Sequence, residues 1–412
     1  MILEKGGHWR NWVGNQSCIS RYQGAPKSEA QLAEMVAEAD ARGLNVRVAG
    51  SGHSFTPVVG TGGVLLSLAK MKGVLDADPA RGRVTVAAGT RIGEVGQALK
   101  SLGLSLSNQG DIDGQAIAGA FATGTHGTGT TLSCLASQVV GMRLVQPDGS
   151  ILAIDDGDPE MLHAAQVSVG VLGVISALTL QTVPAYNLHE RLWRDDFETC
   201  MERHDELAAQ HRHFGFFWCP VPESRQLYCL PDTAPVSSTT KTADVCEMKV
   251  MDITTAAPMA SEFEKIAYSS EVYPIVYVPN FHELEYAVPL EHGKEAVRAV
   301  RELMLTKHTN CIYPIEYRFT AGDPAWMSPF HFQDSITLSV SGGPGIDYWD
   351  YLKDVDAILR RYGSRPHWGK LHFLDTDDVT ALYPRAEDFR ALRRRLDPQG
   401  RFLNDHLRML FG

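Results

Sequence analysis

From residue 28 onward apolar side chains recur at intervals of three and four, at Leu32, Met35, Val36 and Ala39, between Ser28 with Gln31 at one end and Gly43 at the other. The spacing predicts a helix over 28–42, opened by a capping box and closed by a glycine at C′. Residues 45–49, NVRVA, then read as a short strand that runs into the tight loop Gly50-Ser51-Gly52. The same rhythm continues with strands at 64–68 and 83–87 and with a helix capped by Thr90, whose apolar face is Ile92, Val95 and Leu99. Residues 139–146 and 151–154 flank Pro147-Asp148-Gly149, a hairpin signal.

The apolar stretch 167–183 is broken by Gly170, Gly173, Ser176 and Thr179, which suits a buried strand pair or core turn better than a membrane span. After Pro184 the character changes. Aromatic residues cluster over 214–218, a low-complexity loop fills 231–242, and strands at 285–288 and 336–340 surround a helix from about 292 to 304. Residues 386–396 form a last helix, stopped by Asp397-Pro398. The fold class is α+β, in two domains: residues 1–184 completed by 370–412, and residues 185–369 between them.

At 412 residues, 44% hydrophobic and 21% charged, the chain has ordinary globular composition and exceeds the size of a single core. Its 38 basic residues face 49 acidic ones, a formal charge of −11 with no basic run, which argues against nucleic acid and anionic membranes as partners. The opening residues lack the basic start and apolar core of a secretory signal. Cysteines 18, 134, 200, 219, 229, 246 and 311 show no CxxC pair and read as reduced core residues of a cytoplasmic protein. His204, His211 and His213 lack partners at metal-ligand spacing, so no metal is assigned.

Two glycine-rich segments carry the candidate chemistry. Residues 49–54, Ala49-Gly50-Ser51-Gly52-His53-Ser54, offer consecutive backbone N–H groups after a strand, the makings of an anion nest. Residues 119–129, GAFATGTHGTG, lack the GxGxxG of a dinucleotide fold, and so many small and hydroxyl side chains suit backbone lying flat against an extended phosphate-bearing ligand. Glu316 and Arg318 lie two apart in PIEYR and share one face of a strand.

With NWVGN (11–15), VRVAGSGHSF (46–55), GDIDGQAIAGAFATGTHGTG (110–129), PIEYR (314–318), HWGKLH (367–372) and DPQGRFLN (397–404) all in one register, the chain resembles the aldonolactone and alditol oxidases, FAD flavoproteins of the vanillyl-alcohol-oxidase type. The resemblance implies an FAD-binding domain plus a substrate cap domain, with FAD joined covalently through its 8α-methyl to His53. It implies contact with the cofactor at Ala49, Gly50, Ser51, Gly52, Ser54, Gly110, Asp111, Gly119, Thr123, Gly124, Thr125, Gly127, Ile175, Lys370 and Asn404. Gly110 would stand at the position where a small residue admits dioxygen. Glu316, Arg318 and Lys370 would be the catalytic set, the arginine stabilising developing alkoxide and the lysine favouring reduced flavin.

Alditol oxidases carry a serine just after the gatekeeper glycine and a His-x-Thr pair on the substrate strand. Here the corresponding positions are Asp111, and Ser339 with Ser341, which with His372 become the candidate substrate contacts. The expectation is an oxidase for a sugar-derived alcohol, an aldono-1,4-lactone above all, passing electrons to dioxygen to give hydrogen peroxide. A polyol oxidase and a dehydrogenase using another acceptor stay open.

Overall fold

The computed structural model describes residues 2–230 and 241–412, so most of the expected loop at 231–242 lies outside the described residues. The first helix, Glu29–Ala41, starts where Ser28 Oγ accepts from Gln31 N, but Gln31 Oε1 accepts from Lys27 N, one residue earlier than a capping box requires. Thr90 does not cap the helix Ile92–Ser101. Its hydroxyl donates to Ala87 O at 2.6 Å, and Arg91 is the cap, its N–H held by Glu94. The stretch 167–183 is a turn followed by a strand: Val169, Gly170 and Gly173 all have positive φ, and Val174–Gln181 then joins a sheet.

The N-terminal half builds a four-stranded sheet containing Val46–Ala49 and Val64–Ser67, and a five-stranded antiparallel sheet that includes the hairpin Val139–Val145 with Ile151–Asp155. Arg47, buried between them, donates to Val58 O, Val169 O, Gly170 O and Phe402 O at 2.7 to 3.0 Å. One guanidinium thus ties the early loop to the C-terminal segment, whose helices Ala386–Leu396 and Asp405–Phe411 share the first hydrophobic core.

The rest is dominated by a nine-stranded antiparallel sheet. Its order is Met259–Ala260, Glu264–Tyr268, Asn187–Asp196, Val245–Thr254, His213–Cys219, Ile315–Thr320, Ser335–Gly342, His282–Pro289 and Arg365–Pro366. Alternation along the strands sorts the side chains. Leu284, Tyr286, Phe214, Phe216, Ile315, Tyr317, Ile336 and Leu338 form a second core beneath the helices Phe197–Gln210, Gly293–Thr306 and Trp349–Arg360. The opposite face carries Glu283, Glu285, Glu316, Arg318, Ser339 and Lys249 and looks toward the first core. A buried face this polar requires partners. The two cores do not follow sequence blocks strictly, because Ala325, Trp326, Met327 and Phe330, within the block assigned to the cap, pack into the first core and Phe55 into the second. Among the described residues no helix is long and apolar enough to cross a membrane.

Candidate active site

A cleft runs between the N-terminal sheets, and its walls are largely backbone and small side chains. Ala49, Gly50, Ser51, Gly52, His53, Ser54, Gly119, Thr123 and Ile175 all line it. Gly52 has φ +76°, which L side chains rarely adopt, and its carbonyl accepts from Trp12 N at 2.8 Å. On the short helix Ile117–Ala122, a side chain at Gly119 would project into open space, so the bare backbone forms a flat wall. Gly124 and Gly127 serve packing instead. A Cβ on the first would press on Pro329 at 3.0 Å, and on the second on Gln109 O at 2.3 Å.

The His53 loop is clamped from two directions. Asn11 and Asn15 donate to Ser54 O and Phe55 O, while Phe55 N donates to Gly369 O at 2.7 Å and Thr56 Oγ1 to Trp368 O at 2.9 Å. Thus NWVGN and HWGK, far apart in sequence, grip the same loop. His53 Nδ1 is buried with no hydrogen-bond partner among the described residues, and burial, with Lys370 and Arg91 nearby, pushes the imidazole down to about 4. At neutral pH the ring therefore presents a free lone pair.

A neck lined by His53, Ser54, Thr123, Gln115, Gly369 and Lys370 leads from the cleft into a second chamber. Gly110, Asp111, Thr125, Glu316, Arg318 and Lys370 are in the chamber wall. So are Glu283, Glu285, His126, His367, Tyr228 and Tyr277, to which sequence reasoning assigned no role. The two extra glutamates come from HELEYAVP, where acids alternate with apolar residues on a strand that packs on both faces. That alternation was the available signal.

Ion pairs order the chamber. Arg318 Nη2 donates to Glu285 Oε2 at 2.8 Å and its Nε lies 3.2 Å from Glu316 Oε1. Glu285 Oε1 is 2.8 Å from His126 Nε2, and His126 Nδ1 donates to Gly127 O at 2.8 Å. Lys370 pairs with Glu283, which also accepts from Ser339 Oγ. Lys370 reaches that partner because His367 N and Leu371 N donate to Glu285 O and Glu283 O, laying HWGKL along the strand. Burial would raise the Glu285 carboxyl, but His126 and Arg318 outweigh it and hold it well below the carboxylate range. Glu316 goes the other way, to about 8, because burial, helped by Asp111, Glu283 and Glu285, overrides Arg318. Carboxylate oxygens of Glu283, Glu285 and Glu316 lie within 4.8 Å of one another. Arg318 and Lys370 face three carboxyl groups, and of these Glu285 is held ionised while Glu316 is pushed up to about 8.

The comparisons with known proteins agree with this geometry. A family model described as D-arabinono-1,4-lactone oxidase matches residues 178–250 and 236–410, and one described as an FAD binding domain matches 24–155. The L-gulono-1,4-lactone dehydrogenase of Mycobacterium tuberculosis (strain ATCC 25618 / H37Rv) is 35% identical over 98% of this chain and 99% of its own. The chain belongs to the D-arabinono-1,4-lactone oxidase family. The L-gulonolactone oxidase of Mus musculus is 29% identical over 99% of both chains. Among solved structures, the cholesterol oxidase of B. sterolicum superposes with a TM-score of 0.82 at 15% identity, covering 100% of this chain and 97% of that one, a likeness of fold. The family fold is thus an FAD-binding oxidoreductase fold, and the cleft with its bare Gly119 wall and orphaned His53 nitrogen suits FAD.

Other expected contacts fall outside both cavities. Asn404 caps the last helix and donates to Pro57 O and Gly60 O at 2.7 and 2.8 Å, closing the C-terminus over the loop that follows His53. Ser339 and Ser341 face the chamber side but lie beneath its wall, one hydroxyl bonded to Glu283 and the other accepting from Tyr228 at 2.5 Å. His372 packs against Trp368 and His406, where burial pushes it down to about 3. These three do not line the substrate chamber. His204, His211 and His213 diverge to Tyr317, Asp252 and Thr128 O, each bonded as a structural residue.

Proposed function

We propose that this protein oxidises a secondary alcohol of an aldono-1,4-lactone, using covalently held FAD and passing the electrons to dioxygen. The observation that carries the reading is the neck at Lys370 and His53, where the glycine-lined cleft meets a chamber whose wall holds the Glu316 and Arg318 pair. Bound FAD supplies the acceptor for the hydride that leaves the alcohol carbon. The chain supplies the rest. Arg318, half-buried and fixed by Glu285 and Glu316, presents a rigid positive charge to the alcohol oxygen as negative charge develops there. Glu316 takes the hydroxyl proton when its own proton is absent. Lys370, at the neck, places a cation toward the cofactor end of the chamber. Tyr228, Tyr277 and Phe281 add an aromatic part to the chamber wall.

Covalent attachment rests on His53, whose neutral imidazole is free to bond the flavin 8α-methyl carbon. His53→Ala should leave flavin that acid precipitation releases into the supernatant, whereas the parent pellet stays yellow. A yellow pellet from the variant would move the attachment elsewhere. Dioxygen as acceptor rests on Gly110 in the chamber wall, where a Cβ would meet His126 O at 2.9 Å and narrow the space. Gly110→Ala should slow reoxidation by dioxygen about tenfold, roughly 1.4 kcal/mol of barrier, and by more than it slows reduction of a dye acceptor, which should also fall because the backbone at His126 O must shift to admit the Cβ. Equal loss with both acceptors would remove the gate.

The overall test is oxygen uptake by the purified yellow protein with a panel of aldonolactones and linear alditols. Uptake on lactones supports the reading. Uptake on alditols alone would transfer the protein to polyol oxidation, and dye reduction without oxygen uptake would make it a dehydrogenase.

A further inference from the structure

The row of the large sheet that carries Arg318 has a gap in it. Arg318 sits directly across from Gly215, and Gly215 directly across from Lys249, so the three share one face on a line crossing three strands. Adjacent strands lie roughly 4.8 Å apart, which leaves about 10 Å between the Cα atoms of Arg318 and Lys249 with no side chain between them. A small hollow occupies the space, lined among others by Gln109, Asp111, Thr128, Gly215, Lys249 and Arg318. Its wall shares Asp111, Glu316 and Arg318 with the substrate chamber, so the smaller space is an annex of the larger.

The annex holds polar groups in excess of what the protein itself uses. Gln109 is only 1% exposed, yet among the described residues its Nε2 has no hydrogen-bond partner. An orphaned buried amide donor is costly unless something else satisfies it. Lys249, 3.2 Å from Glu190, spends one of its three ammonium donors there. Asp111 and Glu316 contribute acceptors, and the protonated Glu316 can also donate. Donors and acceptors side by side in a small space match neutral hydroxyl groups, each of which can both give and receive a hydrogen bond.

We propose that this annex is the subsite for the hydroxylated tail of the lactone, with Gln109 and Lys249 donating to the tail hydroxyls and Gly215 setting the depth available. The inference rests on the lactone reading given above. A five-carbon 1,4-lactone carries one exocyclic carbon and a six-carbon one carries two, each with a hydroxyl, so the annex would distinguish them.

The test is steady-state kinetics of the flavin-loaded enzyme with D-arabinono-1,4-lactone and L-gulono-1,4-lactone, in the parent and in Gln109→Leu and Lys249→Met. Gln109→Leu removes a donor with no internal partner and so asks little of the fold. Gly215→Ala is a weaker choice, because its Cβ would meet Tyr317 O at 2.8 Å. Both chosen variants should lose about tenfold more kcat/KM on the six-carbon lactone than on the five-carbon one, chiefly through KM, as expected for one hydrogen bond lost from a buried site. Equal losses on both lactones, or none on either, would overturn the subsite and leave the lactone reading standing. A parent enzyme that turns over neither lactone would overturn both.

Discussion

Arg318→Ala should slow the anaerobic reduction of the flavin by a lactone about a thousandfold, the upper end of what one preorganised donor to a developing oxyanion supplies. It should also weaken the fold. Arg318 is the shared partner of Glu285 and Glu316, both buried, and breaking a buried pair from one side costs about 3–5 kcal/mol because the charge left behind has no water to turn to. Arg318→Lys separates the two effects. A lysine keeps the countercharge but has no planar fork to span both carboxyls, so stability should recover in large part while reduction stays about a hundredfold slow. Stopped-flow reduction and thermal melts on the same preparations give both readings. A lysine variant that reduces its flavin at the parent rate would show that charge alone matters at this position and that the fork has no catalytic role.

The parts of the site that could be read in the sequence are those whose signal is local. Glu316 and Arg318 stand two apart on a strand, and the His53 loop follows a strand directly, so each announces itself within a few residues. Glu283 and Glu285 carry the same alternating signal, but their consequence depends on Lys370 and Arg318, which lie 87 and 33 residues away. Ser339 and Ser341 show the limit from the other side. Alternation puts both on the correct face of the sheet, yet their depth beneath the wall follows from Glu283 and Tyr228 packing over them. The gap at Gly215 is less legible still, since it exists only in the register of three strands drawn from distant parts of the chain. The expected fold class holds, with the architecture set by period-two alternation that buries an apolar face under helices and a charged one against the cofactor-binding half. The boundary at 369 cannot express that Ala325 to Phe330 leave the second core for the first, because both cores are equally apolar.

Flavin reduction in the parent should rise with pH through an inflection near 8, and Glu316→Gln should abolish that rise. The carboxyl of Glu316 is pushed up to about 8, chiefly by burial, so at pH 7 only about a tenth of it is ionised. A protonated carboxyl cannot accept the proton of the substrate hydroxyl, and the rate should climb nearly tenfold per pH unit until the group is ionised. Glutamine keeps the size and a hydrogen-bonding tip but never becomes a base, so its rate at pH 9 should lie about 10²–10⁴-fold below the parent. Stability should move in the opposite direction. In the unfolded chain the group ionises near its ordinary 4.5, while the folded protein holds the proton until about 8, so the folded state loses ground steadily between those values. Melts across pH 5 to 8 should therefore fall more steeply for the parent than for Glu316→Gln. If the variant keeps the kinetic inflection near 8, the base is another group in the chamber. If the inflection goes but the melts of the two proteins run parallel, Glu316 is already ionised in the free folded protein and takes its raised value only once substrate is bound.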